Sequence, residues 1–285
     1  MFLLIGMAIV LGSIVVAFIM EGGRLAVLMQ VGEFLILGGA ALGSLLVGNG
    51  LSVLKRIVAE VFALLKPPPF SRTAYVELLQ VLYDMFYTAR RDGLVGIEGH
   101  IEDPEKSELF RKYPTFHGNE HAVAFLADTM KVMLTGAVED HHLSEILELD
   151  LDRYQEEALV VPNALNKVAD AMPGFGIVAA VLGVVITMGK IGGSAADVGE
   201  SIAAALVGTF LGILSSYGIL GPMAQAIESR VRAEDSYMRC IRTALLSFSR
   251  GDPPITSVEF ARRNIEPEER PSFSELEQLT RRKGK

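Results

Sequence analysis

Tryptophan is absent from the 285 residues, and cysteine occurs once, at Cys240. A lone thiol closes no intrachain disulfide, which excludes a disulfide-stapled secreted scaffold and leaves no Cys-rich metal site. Basic residues are outnumbered, 26 Lys and Arg against 34 Asp and Glu, for a formal charge of -8. That balance argues against phosphate backbones, so no nucleic-acid partner is expected. The most informative shortage is local: residues 1–20, 34–54, 171–189 and 201–227 contain no charged side chain. Twenty helical residues rise about 30 Å, the thickness of a bilayer's hydrocarbon core. Such windows exclude an ordinary cytosolic enzyme, and neither catalysis nor a bound cofactor is expected.

The uncharged windows predict four transmembrane helices: Met1 to Met20, about Phe34 to Leu51, Gly174 to Met188, and Ile202 to Leu220. The first opens without a positively charged leader or a small-residue cleavage pattern, so it is expected to be retained as a span. The connections 21–33 and 189–201 hold Arg24 and Lys190 against Glu21, Glu33, Asp197 and Glu200. Lys55, Arg56, Lys66 and Arg72 follow the second span, and Arg230 and Arg232 follow the fourth. The positive-inside rule therefore puts the long middle segment and both termini in the cytoplasm. A multi-pass protein of the bacterial inner membrane, with lipid around its spans, is expected.

No alternating strand pattern and no repeat of fixed period occurs. Pro67, Pro68 and Pro69 break the helix that leaves the second span. Beyond them Tyr75, Leu78, Leu79, Leu82, Met85 and Phe86 repeat at helical spacing, as do Val123, Leu126, Met130, Met133 and Leu134. The expected fold is all-α: a membrane hairpin over 1–54, a large cytoplasmic helical insert over 55–170, a second hairpin over 171–221, and a cytoplasmic helix and tail over 222–285. The middle segment 55–170 has 12 Lys and Arg against 20 Asp and Glu, so it holds -8, while the tail 228–285 holds +2.

Small residues stripe the spans. Gly39-Ala-Ala-Leu-Gly43 and Gly208-Thr-Phe-Leu-Gly212 are both G-x-x-x-G, and Ala179, Ala180 and Gly183 align similarly. Such stripes let helices approach closely in lipid, within one subunit or between subunits. Ion pathways usually place an acid or a histidine at membrane depth. Glu33, Glu200 and Lys190 stand only at span ends, and the mid-span polar groups are mainly the hydroxyls Ser13, Ser44, Thr209, Ser215 and Ser216. If the chain handles ions, the carrying carboxylate is expected from another chain. Pro173 and Pro222 mark cytoplasmic membrane boundaries, where a proline is either a routine helix start or stop, or a hinge. His117-Gly-Asn-Glu-His121 fits the inverted zinc-peptidase pattern H-x-x-E-H, which needs both histidines on one helical face, but the motif follows Tyr113-Pro114 and contains Gly118, so it is expected at a helix's N-terminal turn. His141 and His142 read as surface.

The segments Ala171-Met-Pro-Gly-Phe-Gly-Ile-Val-Ala-Ala-Val-Leu-Gly-Val-Val and Val207-Gly-Thr-Phe-Leu-Gly-Ile-Leu resemble the third and fourth spans of the flagellar stator family MotA. The sequence is also similar to that family in its "EGG" after the first span, "GSLLVGN" closing the second, and "ERPSFSELE" near the end. The resemblance implies a ring of five such chains around two single-span MotB-type partners, conducting ions inward and turning the rotor. It implies that the partner's transmembrane aspartate carries the ion, in agreement with the missing carboxylate. Pro173 and Pro222 then match the prolines coupling ion flow to cytoplasmic movement, and Thr209 the threonine facing the partner's aspartate. Ala180 stands where sodium-driven relatives carry a second threonine. A methyl there offers no oxygen to replace sodium's hydration shell, so protons are the expected ion. Arg90 and Glu98 match the charges that engage the rotor protein FliG, and Asp150 a further acidic position. A rival of another kind is the ExbB/TolQ type of proton channel, which energises outer-membrane processes and has three spans.

Overall fold

The computed structural model describes residues 2–136, 138–190, 192 and 194–281. Among them no strand occurs, and the chain runs as a series of helices. They are α1 (Phe2–Met20), α2 (Val31–Ala63), α3 (Arg72–Asp92), α4 (Glu98–Glu102), α5 (Glu108–Arg111), α6 (Pro114–His117) and α7 (Glu120–Leu134). There follow α8 (Asp140–Ala158), α9 (Val160–Met188), α10 (Ala195–Ile213), α11 (Gly221–Ser249), α12 (Pro254–Asn264) and α13 (Phe273–Arg281). Four helical stretches are long and apolar enough to cross a membrane, as the uncharged windows predict. The chain divides into two compact units, residues 1–67 with 158–230, and residues 68–157 with 231–285.

The first unit contains the apolar helices. α1 buries none of its 18-residue apolar window against the rest of the chain, so its surface is suited to lipid or other subunits. α2 is interrupted at Gly50, whose φ of 74° lies in the left-handed region that glycine alone enters freely. Past that break, Ile57 of α2 and Leu64, directly after it, pack with Val161, Leu165 and Val168 of α9 and with Ala224 and Ile227 of α11. The C-terminal end of α2 and the residues just after it are capped by Arg230. Its guanidinium donates at 2.6 Å to both the Ala63 and the Lys66 carbonyl oxygens. The cation also opposes the negative end of the α2 dipole.

The second unit is an ordinary water-type core. Leu78, Leu79, Leu82, Met85 and Phe86 of α3, predicted from their spacing, are fully buried. They are joined by Leu126 and Met130 of α7, Leu147 of α8, Ile241 and Leu245 of α11, and Leu276 of α13 in one cluster. The rings of Phe86 and Phe248 stack with centroids 4.4 Å apart. Short helices are started by side-chain caps: Ser107 Oγ accepts the Phe110 N–H at 3.2 Å, and Asn119 Oδ1 the Ala122 N–H at 3.1 Å. The charge onset at residue 55 and the apolar limits at 170 and 222 do not coincide with the unit boundaries. The long helices continue past their lipid-type stretches, and the packing of these continuations closes the first unit.

Candidate functional site

In the apolar unit, α9 and α10 approach backbone to backbone. A Cβ on Gly176 would stand 2.9 Å from the Gly208 oxygen and 3.1 Å from Thr209 Cα. One on Gly212 would lie 2.7 Å from the Met172 oxygen and 3.0 Å from Gly176 Cα. One on Gly183 would lie 2.5 Å from Ala205 Cβ. The G-x-x-x-G of α10 is therefore spent within the subunit. That of α2 is not: nothing lies within 4 Å of a Cβ built on Gly39 or Gly43.

This packing positions Thr209. Its hydroxyl donates to the Gly176 carbonyl at 3.3 Å, the residue itself being half-buried. Ala180, also half-buried, stands on α9 beside fully buried Ala179. Pro173 lies inside α9, so the helix has no N–H at that position and the Ala169 carbonyl loses its partner. Pro222 is the second residue of α11, directly after a π-helical turn at Leu214–Leu220. That turn ends with the Gly221 N–H on the Ser216 oxygen. Wider turns of this kind concentrate where a helix bends or carries function.

Glu33 is a residue the sequence misjudged. It is at the end of its own span, on the first turn of α2, yet it is only 9% exposed. Its Oε2 lies against Gly208, where a Cβ would collide with it, and has no hydrogen-bond partner among the described residues. Ala179 forms the other wall, 2.9 Å from the same Cβ position. Where one helix's end meets another helix's middle is a matter of packing register, which no single-helix pattern carries. Near the α9–α10 connection, an open cavity of about 710 Å³ is lined by Gln30, Lys190, Asp197, Glu200, Ser201 and Ala204, among others.

In the second unit, Arg90 and Glu98 flank a reversal of the chain. α3 stops at Gly93, with φ of 78°, and a single 3-10 turn over Leu94–Ile97 anchors buried Ile97 before Glu98 opens α4. Both charges are exposed, as is Asp150 on α8. Arg90 donates to the Gly251 carbonyl at 3.2 Å. Neither it nor Glu98 nor Asp150 forms an ion pair among the described residues. Arg91 behaves otherwise: it pairs with Asp92 at 2.6 Å and lies 5.8 Å over the Tyr87 ring. Arg91 thus forms an ion pair on this segment, whereas Arg90 has only the Gly251 carbonyl as its partner.

The H-x-x-E-H pattern is divided between two helices. His117 ends α6, Asn119 caps α7, and Glu120 is exposed. His121 stacks on Tyr154 with ring centroids 3.6 Å apart, its Nδ1 3.6 Å from Glu234 Oε1, which accepts the Tyr154 hydroxyl at 2.8 Å. The histidines do not share a helical face, and the zinc-peptidase arrangement does not form.

Comparison with known proteins gives a consistent result. The family model described as Motility protein A N-terminal matches residues 4–93, and that of the MotA/TolQ/ExbB proton channel family matches residues 118–240. The chain is 35% identical to Motility protein A of Escherichia coli over 281 residues, covering 99% of this chain and 95% of the relative. It is 34% identical to Motility protein A of Salmonella typhimurium over the same shares. With the chemotaxis protein LafT of Vibrio parahaemolyticus it shares 36% identity, covering 96% of each. The fold is similar to a chain of the C. jejuni MotAB structure, with a TM-score of 0.78 at 20% identity over 95% of this chain and 98% of that one. A chain of the flagellar MotAB stator complex from Bacillus subtilis gives 0.69 at 18% identity over 96% and 98%.

Proposed function

The chain belongs to the Motility protein A family, the membrane subunits of flagellar stator channels, and on that premise we propose how it works and with what. It assembles with a single-span MotB-type partner, five copies around two, and the partner contributes the aspartate that carries the ion. The observation that carries this reading is the α9–α10 pair. It is sealed by glycine on one side, bears Thr209 half-buried, and leaves Ile177, Val178, Val181 and Leu182 exposed, an apolar surface suited to other chains. The open stripe at Gly39 and Gly43 supports further helix–helix assembly. The N-terminal family model favours the stator over the ExbB/TolQ type.

The transported ion is the proton, since Ala180 offers a methyl where a sodium path needs oxygen ligands. The protein sits in the inner membrane with both termini in the cytoplasm, as the placement of Lys55, Arg56, Arg230 and Arg232 supports. Pro173 and Pro222 are the points at which a change at the ion site bends α9 and the π turn before α11. The bend shifts the cytoplasmic helices, and Arg90, Glu98 and Asp150 transmit it to FliG. Exposed charges fix the register of an interface more than they tighten it, which suits a contact remade at every step.

The test is proton flux into vesicles carrying the chain with and without the MotB-type partner, together with swimming of a deletion strain. Flux only in the presence of the partner, and swimming restored by the gene, are expected. Flux from this chain alone overturns the reading.

A further inference from the structure

A carboxyl group inserted between membrane helices is costly to hold without a purpose, and ionisable groups at membrane depth mark ion and proton pathways. Glu33 meets that description only once the three helices around it are considered together. Ala179, its wall on α9, is nine residues from the end of that helix at Met188, about 14 Å along the axis. Gly208, its wall on α10, is six residues from the start of the apolar span at Ile202, about 9 Å along the axis. A residue at the end of its own span therefore lies about 9 to 14 Å inside the others.

Its surroundings are specific. Gly208 has no side chain where the carboxylate enters, and the next residue is Thr209, the one that resemblance places toward the partner's acid. On the other side, Gln30 lies one turn before Glu33 and Ala204 one turn before Gly208, and both line the open cavity that also holds Lys190, Asp197 and Glu200. At the contact itself the groups that meet are the Glu33 carboxyl, the Gly208 backbone and the Ala179 methyl.

We infer that Glu33 is a proton-exchange site of this chain's own, taking a proton from the outer cavity and releasing it toward the Thr209 face. The balance is simple: the carboxylate gains one proton on the cavity side and loses the same proton inward, with no other group consumed. This rests on the stator reading for its direction and acceptor. It adds a second carboxyl to the path, ahead of the partner's.

The experiment uses the complete complex with its MotB-type partner in proteoliposomes. Glu33→Gln preserves size and polarity but cannot exchange a proton, and proton flux is expected to fall about tenfold or more. Partner co-purification should be unchanged, and Glu33→Asp should recover part of the flux. A pH-jump infrared difference spectrum of the unaltered complex should show a carboxyl band that vanishes in Glu33→Gln. Full flux in Glu33→Gln overturns the inference, as does a spectrum unchanged by that substitution. Flux loss accompanied by loss of the partner also overturns it, by assigning Glu33 to assembly. No flux in the unaltered complex would sink the stator reading instead, while the infrared band still decides whether Glu33 exchanges a proton.

Discussion

Glycines divide at the residue scale into those the subunit uses and those it leaves open. Gly212→Ala brings a methyl to 2.7 Å from a backbone oxygen, which no rotamer change relieves. Loss of about 1–3 kcal/mol is expected from such overpacking, read as a lower unfolding temperature of the purified subunit in detergent. Gly43→Ala, with open space around it, should leave that temperature unchanged. If α2 packs on other subunits, the same change should weaken the oligomer, seen by native mass spectrometry. Cys240 gives a second residue-level prediction. Burial pushes its thiol up to about 12 and the Tyr75 phenol likewise to about 12, so the folded chain holds both neutral. Unfolded, the thiol ionises near about pH 8.5 and the phenol near about pH 10. Stability is therefore complete below the unfolded values and falls as pH rises from there toward about 12. Thermal unfolding of the water-soluble-type core should shift down above about pH 8.5, and alkylation of Cys240 should be slow until unfolding.

Elements were legible where they were periodic or uncharged. Windows free of charge found all four spans because charge facing lipid is costly, and i, i+3, i+4 spacing found the buried face of α3. What the sequence hid were departures from regularity inside apolar runs. Leu214–Leu220 reads like any span, since hydropathy does not distinguish i→i+5 from i→i+4 bonding. Gly50 sits in a run of small residues that all look alike, yet it alone breaks α2 with positive φ. Gly50→Ala is strained whatever space surrounds it and should cost about 1 kcal/mol or more. Pro173 is the converse case, since Pro173→Ala returns an N–H to the Ala169 carbonyl and should make α9 stiffer. The expected result is a complex that inserts, binds its partner and resists hydrogen exchange around Ala169, but produces little torque on a tethered cell. Normal torque from that variant would show that α9 does not bend there during the cycle.

For the whole molecule, the question is where ion movement becomes force. Most charges on the second unit are committed internally: Arg242 to Glu148 at 2.7 Å, Arg239 to Asp235 at 2.8 Å, Arg262 to Glu259 at 2.6 Å. Arg90 and Glu98 form no ion pair among the described residues, Arg90 donating to the Gly251 carbonyl instead, and they flank the turn made by Gly93 and buried Ile97. Nothing in the sequence distinguishes these residues from any solvated face, and their lack of ion pairs is shared with Glu102, Glu108 and Lys112 among the described residues; only resemblance singles them out. Exposed pairs contribute little to folding, so reversing these charges should leave the unit's stability within about 0.5 kcal/mol. Glu98→Lys should nevertheless reduce swimming under viscous load, with insertion and partner binding intact, and the deficit should grow at low ionic strength, where charge repulsion is least screened. Arg91→Glu provides the contrast, because Arg91 is already bound to Asp92 and loses an internal pair instead. Its effect should be smaller than that of Arg90→Glu. A reversed charge on FliG should rescue Glu98→Lys and leave Arg91→Glu unimproved; rescue of both would mean that net charge, not these two positions, makes the contact.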